Sequence, residues 1–128
     1  MSYHVLLANV HRVCALTQIS EDWSNDCPAL EFLQQHGAKG SYAKSCRGLL
    51  AVFQRYADQG RQGLTAEIFH EVDRANGIWQ FIKGDLRVLC FIVSNDVFLT
   101  NGYIKKSQKA DPSEVTRAVN AKKKYLSK

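Results

Sequence analysis

Between positions 77 and 109 the apolar residues fall into three short runs, 78–83, 86–93 and 97–104. Turn chemistry separates them, Lys83-Gly84-Asp85 and then Ser94-Asn95-Asp96, which predicts an antiparallel meander with two tight hairpins. In the middle run Leu86, Val88, Cys90 and Ile92 alternate with Leu89, Phe91 and Val93. Apolar residues on both phases suit a central strand covered on both faces. Upstream the period changes. Pro28 suits the first turn of a helix over 28–36, with Asn25 and Asp26 as candidate caps. Leu30 and Leu33 mark its apolar face, Phe32 its edge, and Gly37 its end. Ser41 is placed to cap a second helix. Tyr42, Cys46, Leu49, Leu50, Phe53, Tyr56 and Ala57 form one helical stripe there, with Gly60 as the stop. The pair predicts an αα-hairpin whose apolar face needs a sheet. Segments 3–8 and 12–19 read as candidate strands, at least one of them pairing with the meander. Positions 20–26 read as a loop, and 67–73 as a short helix or an extended segment. At the other end Asp111, Pro112 and Glu114 make a strong helix start. The helix after it has only a thin apolar stripe (Val115, Ala118, Val119, Lys122, Leu126), as a docking surface or a fraying end would.

The chain has 128 residues, which predicts one domain. Its parts are a strand region over 1–24, a helical hairpin over 25–60, the meander over 77–109 and a basic helix over 111–126. The four cysteines (14, 27, 46 and 90) have no metal-binding or redox spacing and read as small buried hydrophobes in a reducing compartment. No run approaches the roughly 20 apolar residues of a membrane span. The first residues lack a basic segment before an apolar one. A cytoplasmic protein with no membrane partner is expected. Charge changes the picture more. Residues 101–128 hold seven Lys and one Arg against Asp111 and Glu114, a net of +6, while the other residues carry nine basic and ten acidic side chains, a net of −1. The basic excess predicts an anionic partner, nucleic acid first, or else a solvated helix that aids solubility.

The familiar catalytic patterns are absent: no phosphate-binding glycine loop, no paired carboxylates on one strand and no histidine cluster with metal spacing. No metal or cofactor is expected. All four histidines precede the meander, and His70, the one nearest to it, reads best as packing or bonding locally. What remains is Arg87, which breaks the apolar central strand, with Lys105, Lys106, Lys109 and Lys83. A guanidinium stays charged, can hold a phosphate through two parallel N–H bonds, and seldom enters a core alone. Crowded lysines give up a proton more easily and can serve as general base or acid. On RNA, a 2′-hydroxyl would attack the neighbouring phosphorus while the cations neutralise the growing charge. Tyr103 can stack on a base or pack as a core aromatic. Arg87 can equally pair with Asp85 or Glu71, and Lys105 and Lys106 can be a solvated strand end.

The segments GIWQFIKGDLRVLCF and VFLTNGYIKKSQKADPSEVTRA resemble the RelE/ParE toxin superfamily, most closely its HigB-like, phage-derived branch. The likeness rests on Arg87 in its strand, on Gly102-Tyr103-Ile104-Lys105-Lys106, on Lys109, and on Pro112 to Glu114. CPALEFLQQHG and the helix after it are similar to the family's αα-hairpin. The resemblance implies an α+β, RelE-like fold: a twisted antiparallel sheet with the αα-hairpin packed on one face and a short C-terminal helix. It also implies the toxin of a type II toxin–antitoxin pair, neutralised by a cognate antitoxin. Such a toxin would be a metal-independent mRNA endonuclease acting on the ribosome. Arg87, Lys105, Lys106 and Lys109 would form the catalytic set. Lys83, Tyr103, Arg117, Lys122 and Lys123 would bind RNA. The chain departs from RelE proper at Thr116, where a tyrosine is expected, and at Gln80 and Ile82, where paired lysines are expected. The same fold also carries the ParE-like function, inhibition of DNA gyrase without catalysis, and an inactive RNA- or antitoxin-binding domain is a third possibility. Residues 1–24 are not assigned by the resemblance.

Overall fold

In the computed structural model, which describes residues 3–17 and 27–127, the three runs of the meander are strands β4 (Ile78–Lys83), β5 (Leu86–Val93) and β6 (Asp96–Ile104), with β3 (Phe69–Asp73) ahead of them and β1 (Tyr3–Ala8) and β2 (Arg12–Leu16) near the N-terminus. They form one six-stranded sheet in the order β1-β2-β6-β5-β4-β3. Both predicted hairpins form, and each turn holds a residue in the left-handed region: Gly84 at φ 56° and Ser94 at φ 55°. Gly84 also abuts Ser45, whose Oγ lies 2.5 Å from where a side chain would begin, so that turn is fixed against the helix above it. Of segment 67–73, Phe69–Asp73 forms an edge strand.

The sheet is not wholly antiparallel. β2 runs parallel to β6, with Val13 opposite Val97 and Ala15 opposite Leu99. A parallel pair needs a long crossover. The chain supplies one by leaving β2 through two helices and entering the opposite edge of the sheet at β3 before the meander returns. β1 folds back on β2 as an antiparallel hairpin and forms the outer edge.

Helices α1 (Pro28–Gly37) and α2 (Ala43–Gln59) cover one face of the sheet. α2 ends as expected: Gly60, at φ 69°, donates its N–H to the Tyr56 carbonyl. Two details depart from the sequence reading. Ser41 does not cap α2; the helix starts two residues later behind Tyr42, which makes no side-chain cap bond. Leu50 stands 48% exposed and Val52 is buried instead, because the stripe centres on Cys46, Leu49 and Phe53, leaving Leu50 at its margin. α1 is capped by Cys27 without a side-chain bond; Asn25, Asp26, the 20–26 loop and the end of the 12–19 segment lie outside the described residues. Helix α3 (Pro112–Leu126) covers the other face. Its start is as expected, with the Asp111 carboxylate accepting from the N–H groups of Ser113 and Glu114.

β5 therefore serves two cores. Leu86, Val88 and Cys90 pack under α1 and α2 with Leu49, Phe53, Tyr56 and Phe81. Leu89 and Phe91 pack under α3 with Phe98, Ala118 and Ala121. All four cysteines are free and buried. No described helix is long and apolar enough to cross a membrane.

Candidate functional site

Arg87 stands second in β5, on the α3 face, opposite Ile82 of β4 and Tyr103 of β6. It is half-buried. Neither Asp85 nor Glu71 pairs with it, and among the described residues it has no carboxylate partner. One terminal nitrogen donates to the carbonyls of Gly84 at 2.7 Å and Leu86 at 3.0 Å. Those bonds come from the tight β4–β5 turn folding back beneath the side chain. They hold one corner of the guanidinium and neutralise none of its charge, so its other N–H groups remain for an anion.

Tyr103 lies beside it on the same face. Its hydroxyl donates to Gln80 Oε1 at 2.6 Å and accepts from the Asp111 N–H at 3.3 Å. Tyr103 is thus a tie between β6, β4 and the start of α3, with its ring in the α3-side core. Burial pushes its phenol above the usual value, while the Asp111 N–H and the nearby Arg87 charge act the other way. Deeper in, Asn101 donates to the Glu114 carbonyl at 3.2 Å and to its carboxylate at 2.8 Å, and accepts from Thr100 at 2.7 Å. Glu114 in turn meets Arg117 at 3.4 Å. Gln80 and Asn101 are nearly fully buried. They were missed as site residues because they sit in phase with apolar core positions. Their signal was polarity in the middle of a strand, which requires a partner.

The lysines distribute unevenly. The Lys105 N–H donates to the Asp85 carbonyl at 2.7 Å, pinning the end of β6 to the turn that holds Arg87. Lys106 and Lys109 are exposed. Lys106 lies close enough to Asp111 to help hold that carboxylate below its usual range, behind the larger effect of the Ser113 hydrogen bond. Arg87, Tyr103, Asp111 and Lys106 are therefore successive neighbours around one rim. Lys83 is not among them. It sits on the α1–α2 face, where its stem fills the space above Gly48. Lys122 is engaged elsewhere, donating to the Asn76 carbonyl at 2.7 Å and lying 5.9 Å from the Phe91 ring centroid. Arg117 is tied to Glu114, and Lys123 is exposed on the outer side of α3. His70 bonds locally to the Ala66 carbonyl at 3.0 Å. Thr116 bonds back to the Pro112 carbonyl at 2.9 Å.

The sequence pattern of the family described as Phage derived protein Gp49-like (DUF891) matches residues 42–123. That span runs from the N-cap of α2 through the meander into α3, and contains every element that positions Arg87, Tyr103 and the lysines. No curated protein sequence matches the chain.

Proposed function

The chain belongs to the phage-derived Gp49-like family, which is related to toxins of toxin–antitoxin systems and associated with RNase-type toxins, and we propose that it is itself a type II toxin that cuts mRNA on the ribosome and is silenced by a cognate antitoxin. The observation that carries this reading is Arg87: a half-buried guanidinium with no carboxylate partner among the described residues, fixed at one corner by two carbonyls. A cation so held costs solvation and returns nothing to the fold beyond two hydrogen bonds, which suits a group kept for an anion.

In the proposed reaction Arg87 grips the scissile phosphate. The 2′-oxygen of the nucleotide attacks the adjacent phosphorus and gives its proton to a neutral amine among Lys105, Lys106 and Lys109. An O2′–P bond forms, the P–O5′ bond breaks, and the departing 5′-oxygen takes a proton from a charged lysine of the same group. The remaining positive charge stabilises the phosphoryl oxygens as electron density builds on them. Tyr103 acts by keeping the floor of the site rigid. Lys123 and the exposed lysines contribute contacts to the RNA backbone, so binding weakens steeply as salt rises. Acting on ribosomes, the protein would work in the cytoplasm.

The test is induced expression in bacterial cells of the wild type and of Arg87→Ala, with growth followed and mRNA 5′ ends mapped within minutes. New cuts inside translated regions, absent with Arg87→Ala, are expected. Growth arrest with intact mRNA and damaged DNA would overturn the reading in favour of gyrase inhibition. Unchanged growth with the wild type would leave an inactive domain.

A further inference from the structure

A second polar site lies at the far end of β5, on the α1–α2 face. Beneath the C-terminus of α2 and the 3-10 turn Gly60–Gly63 there is a cavity of about 520 Å3, within the range of small-ligand sites. Trp79 forms one wall. Its ring stacks on Phe69 at 5.0 Å, and the Arg61 guanidinium lies over it at 5.0 Å from the centroid. Tyr56 forms the floor. It is 2% exposed, and its hydroxyl makes no hydrogen bond with any described residue. No enclosed polar side-chain atom among those residues lacks a partner, so this hydroxyl must open on to the cavity. Burial pushes the phenol up to about 12, which keeps it a proton donor. Glu71, directly across from Trp79 in the β3–β4 pairing, lies beside it and lines the cavity too. Among the described residues its one ion pair is with Arg74, at 3.8 Å, beyond hydrogen-bond range and with Arg74 almost wholly exposed. The site thus brings together an aromatic face, a planar cation that can rise from it, a buried donor and a carboxylate that accepts no hydrogen bond from the described residues.

We propose that this cavity binds an unpaired nucleobase of RNA, guanine in preference, stacked between Trp79 and Arg61 with its Watson–Crick edge on Glu71. Stacking on an aromatic ring or an Arg plane, with the base edge read by hydrogen bonds, is how single-stranded RNA bases are held. Guanine alone among the four presents two adjacent donors, N1–H and N2–H, that match the two oxygens of a carboxylate. Adenine and cytosine offer one amino group beside an acceptor, and uracil one N–H between two carbonyls. Arg61 is exposed, so lifting it by one ring thickness breaks no hydrogen bond. The proposal rests on the reading of the chain as an RNA-acting protein. The cavity and Arg87 are on opposite faces, and Trp79, opposite Cys90, stands roughly 10 Å from Arg87 along β5 at 3.3 Å per residue. The captured base therefore does not adjoin the phosphate at Arg87.

The test uses the protein's own fluorescence. Trp23→Phe leaves Trp79 as the single tryptophan of two. GMP should quench it saturably, with AMP, CMP and UMP each weaker by about tenfold or more, within the range of one bidentate base contact. Glu71→Gln should lower GMP affinity by about tenfold and Arg61→Ala should lower it as well. No saturable response to GMP, equal responses to all four nucleotides, or undiminished binding by Glu71→Gln would each overturn the proposal. If Trp23→Phe does not fold, calorimetric titration of the unaltered chain makes the same comparison. Arg87→Ala should bind GMP like the wild type. Failure of the endonuclease reading would thus leave this result standing, and mRNA cleavage by a protein that ignores GMP would overturn this proposal alone.

Discussion

The two faces of the sheet are built from different material. Under α1 and α2 lie large rings in mutual contact: Phe53 edge-on to Phe81 at 4.9 Å, and Phe69 against Phe81 at 4.4 Å. Under α3 only Ala118 and Ala121 of the helix are fully buried. That face has its own ring cluster, with Phe91, Phe98 and Tyr125 in contact (Phe98 to Tyr125 at 5.1 Å), but beside Arg87 it gives way to a polar network of Tyr103, Gln80, Asn101 and Glu114. Apolar area removed from water is the main stabilising term, whereas hydrogen bonds add about 1 kcal/mol each net but fix geometry closely. The difference teaches a division of labour. The hairpin face carries the larger apolar core, and the polar part of the α3 face, next to its smaller aromatic core, holds Arg87 and its neighbours in register.

Substitutions can break this contrast. The largest effect is expected on the hairpin face. Phe81→Ala removes the ring shared by Phe53, Tyr56 and Phe69, and should cost about 3–5 kcal/mol in denaturant unfolding. A loss below about 1 kcal/mol would mean that this core is not the main stabilising one. Next comes overpacking. Gly102 lies directly beneath Phe32 of α1, where an added Cβ would collide with the ring. Gly102→Val should cost about 1–3 kcal/mol in the same assay, although Gly102 adjoins Tyr103 of the site.

Effects in the polar part of the α3 face should be smaller. Asp111→Ala removes the cap of α3 and should cost about 1 kcal/mol. The same carboxylate gives that face an acid dependence. Its folded value lies below the ordinary 3.8, chiefly through the Ser113 hydrogen bond. The unfolded chain therefore takes up its proton first. The stability it contributes is complete above the unfolded value and is lost as pH falls through the folded one. Asp96, held down first by its hydrogen bond from Arg12, acts in the same direction. Unfolding midpoints followed from pH 5 down to pH 2 should fall in the wild type and less steeply in Asp111→Ala. Parallel curves would remove Asp111 from the account. The smallest stability change, under about 1 kcal/mol, is expected for Arg87→Gln, which breaks two bonds to carbonyls and no ion pair.

Periodicity carried most of this fold. The three runs of the meander fall where the structure has strands, because turn residues and a change of phase mark their ends. Asp111-Pro112 and Gly60 marked helix ends for equally local reasons. What periodicity could not carry was long-range: the parallel pairing of β2 with β6, and the choice of Val52 over Leu50, depend on what lies across the core. Of the candidate site, Arg87 was legible as a charge in an apolar strand. The separation of Lys83 from it could have been read as well, although charge alone groups the two. A two-residue turn sets Lys83 opposite Leu86 and Ile82 opposite Arg87, so Lys83 and Arg87 have opposite phase. The Tyr103–Gln80 bond was not legible, because it joins β6 to β4 across an intervening strand.

The most direct test is cleavage by purified protein of a defined mRNA on programmed ribosomes, comparing the wild type with Arg87→Gln after both show the same denaturant midpoint. The account predicts that the wild type cuts and that the folded variant cuts at least about a hundredfold more slowly, the scale of losing one charge-stabilising donor. A folded Arg87→Gln that cuts as fast as the wild type would contradict it.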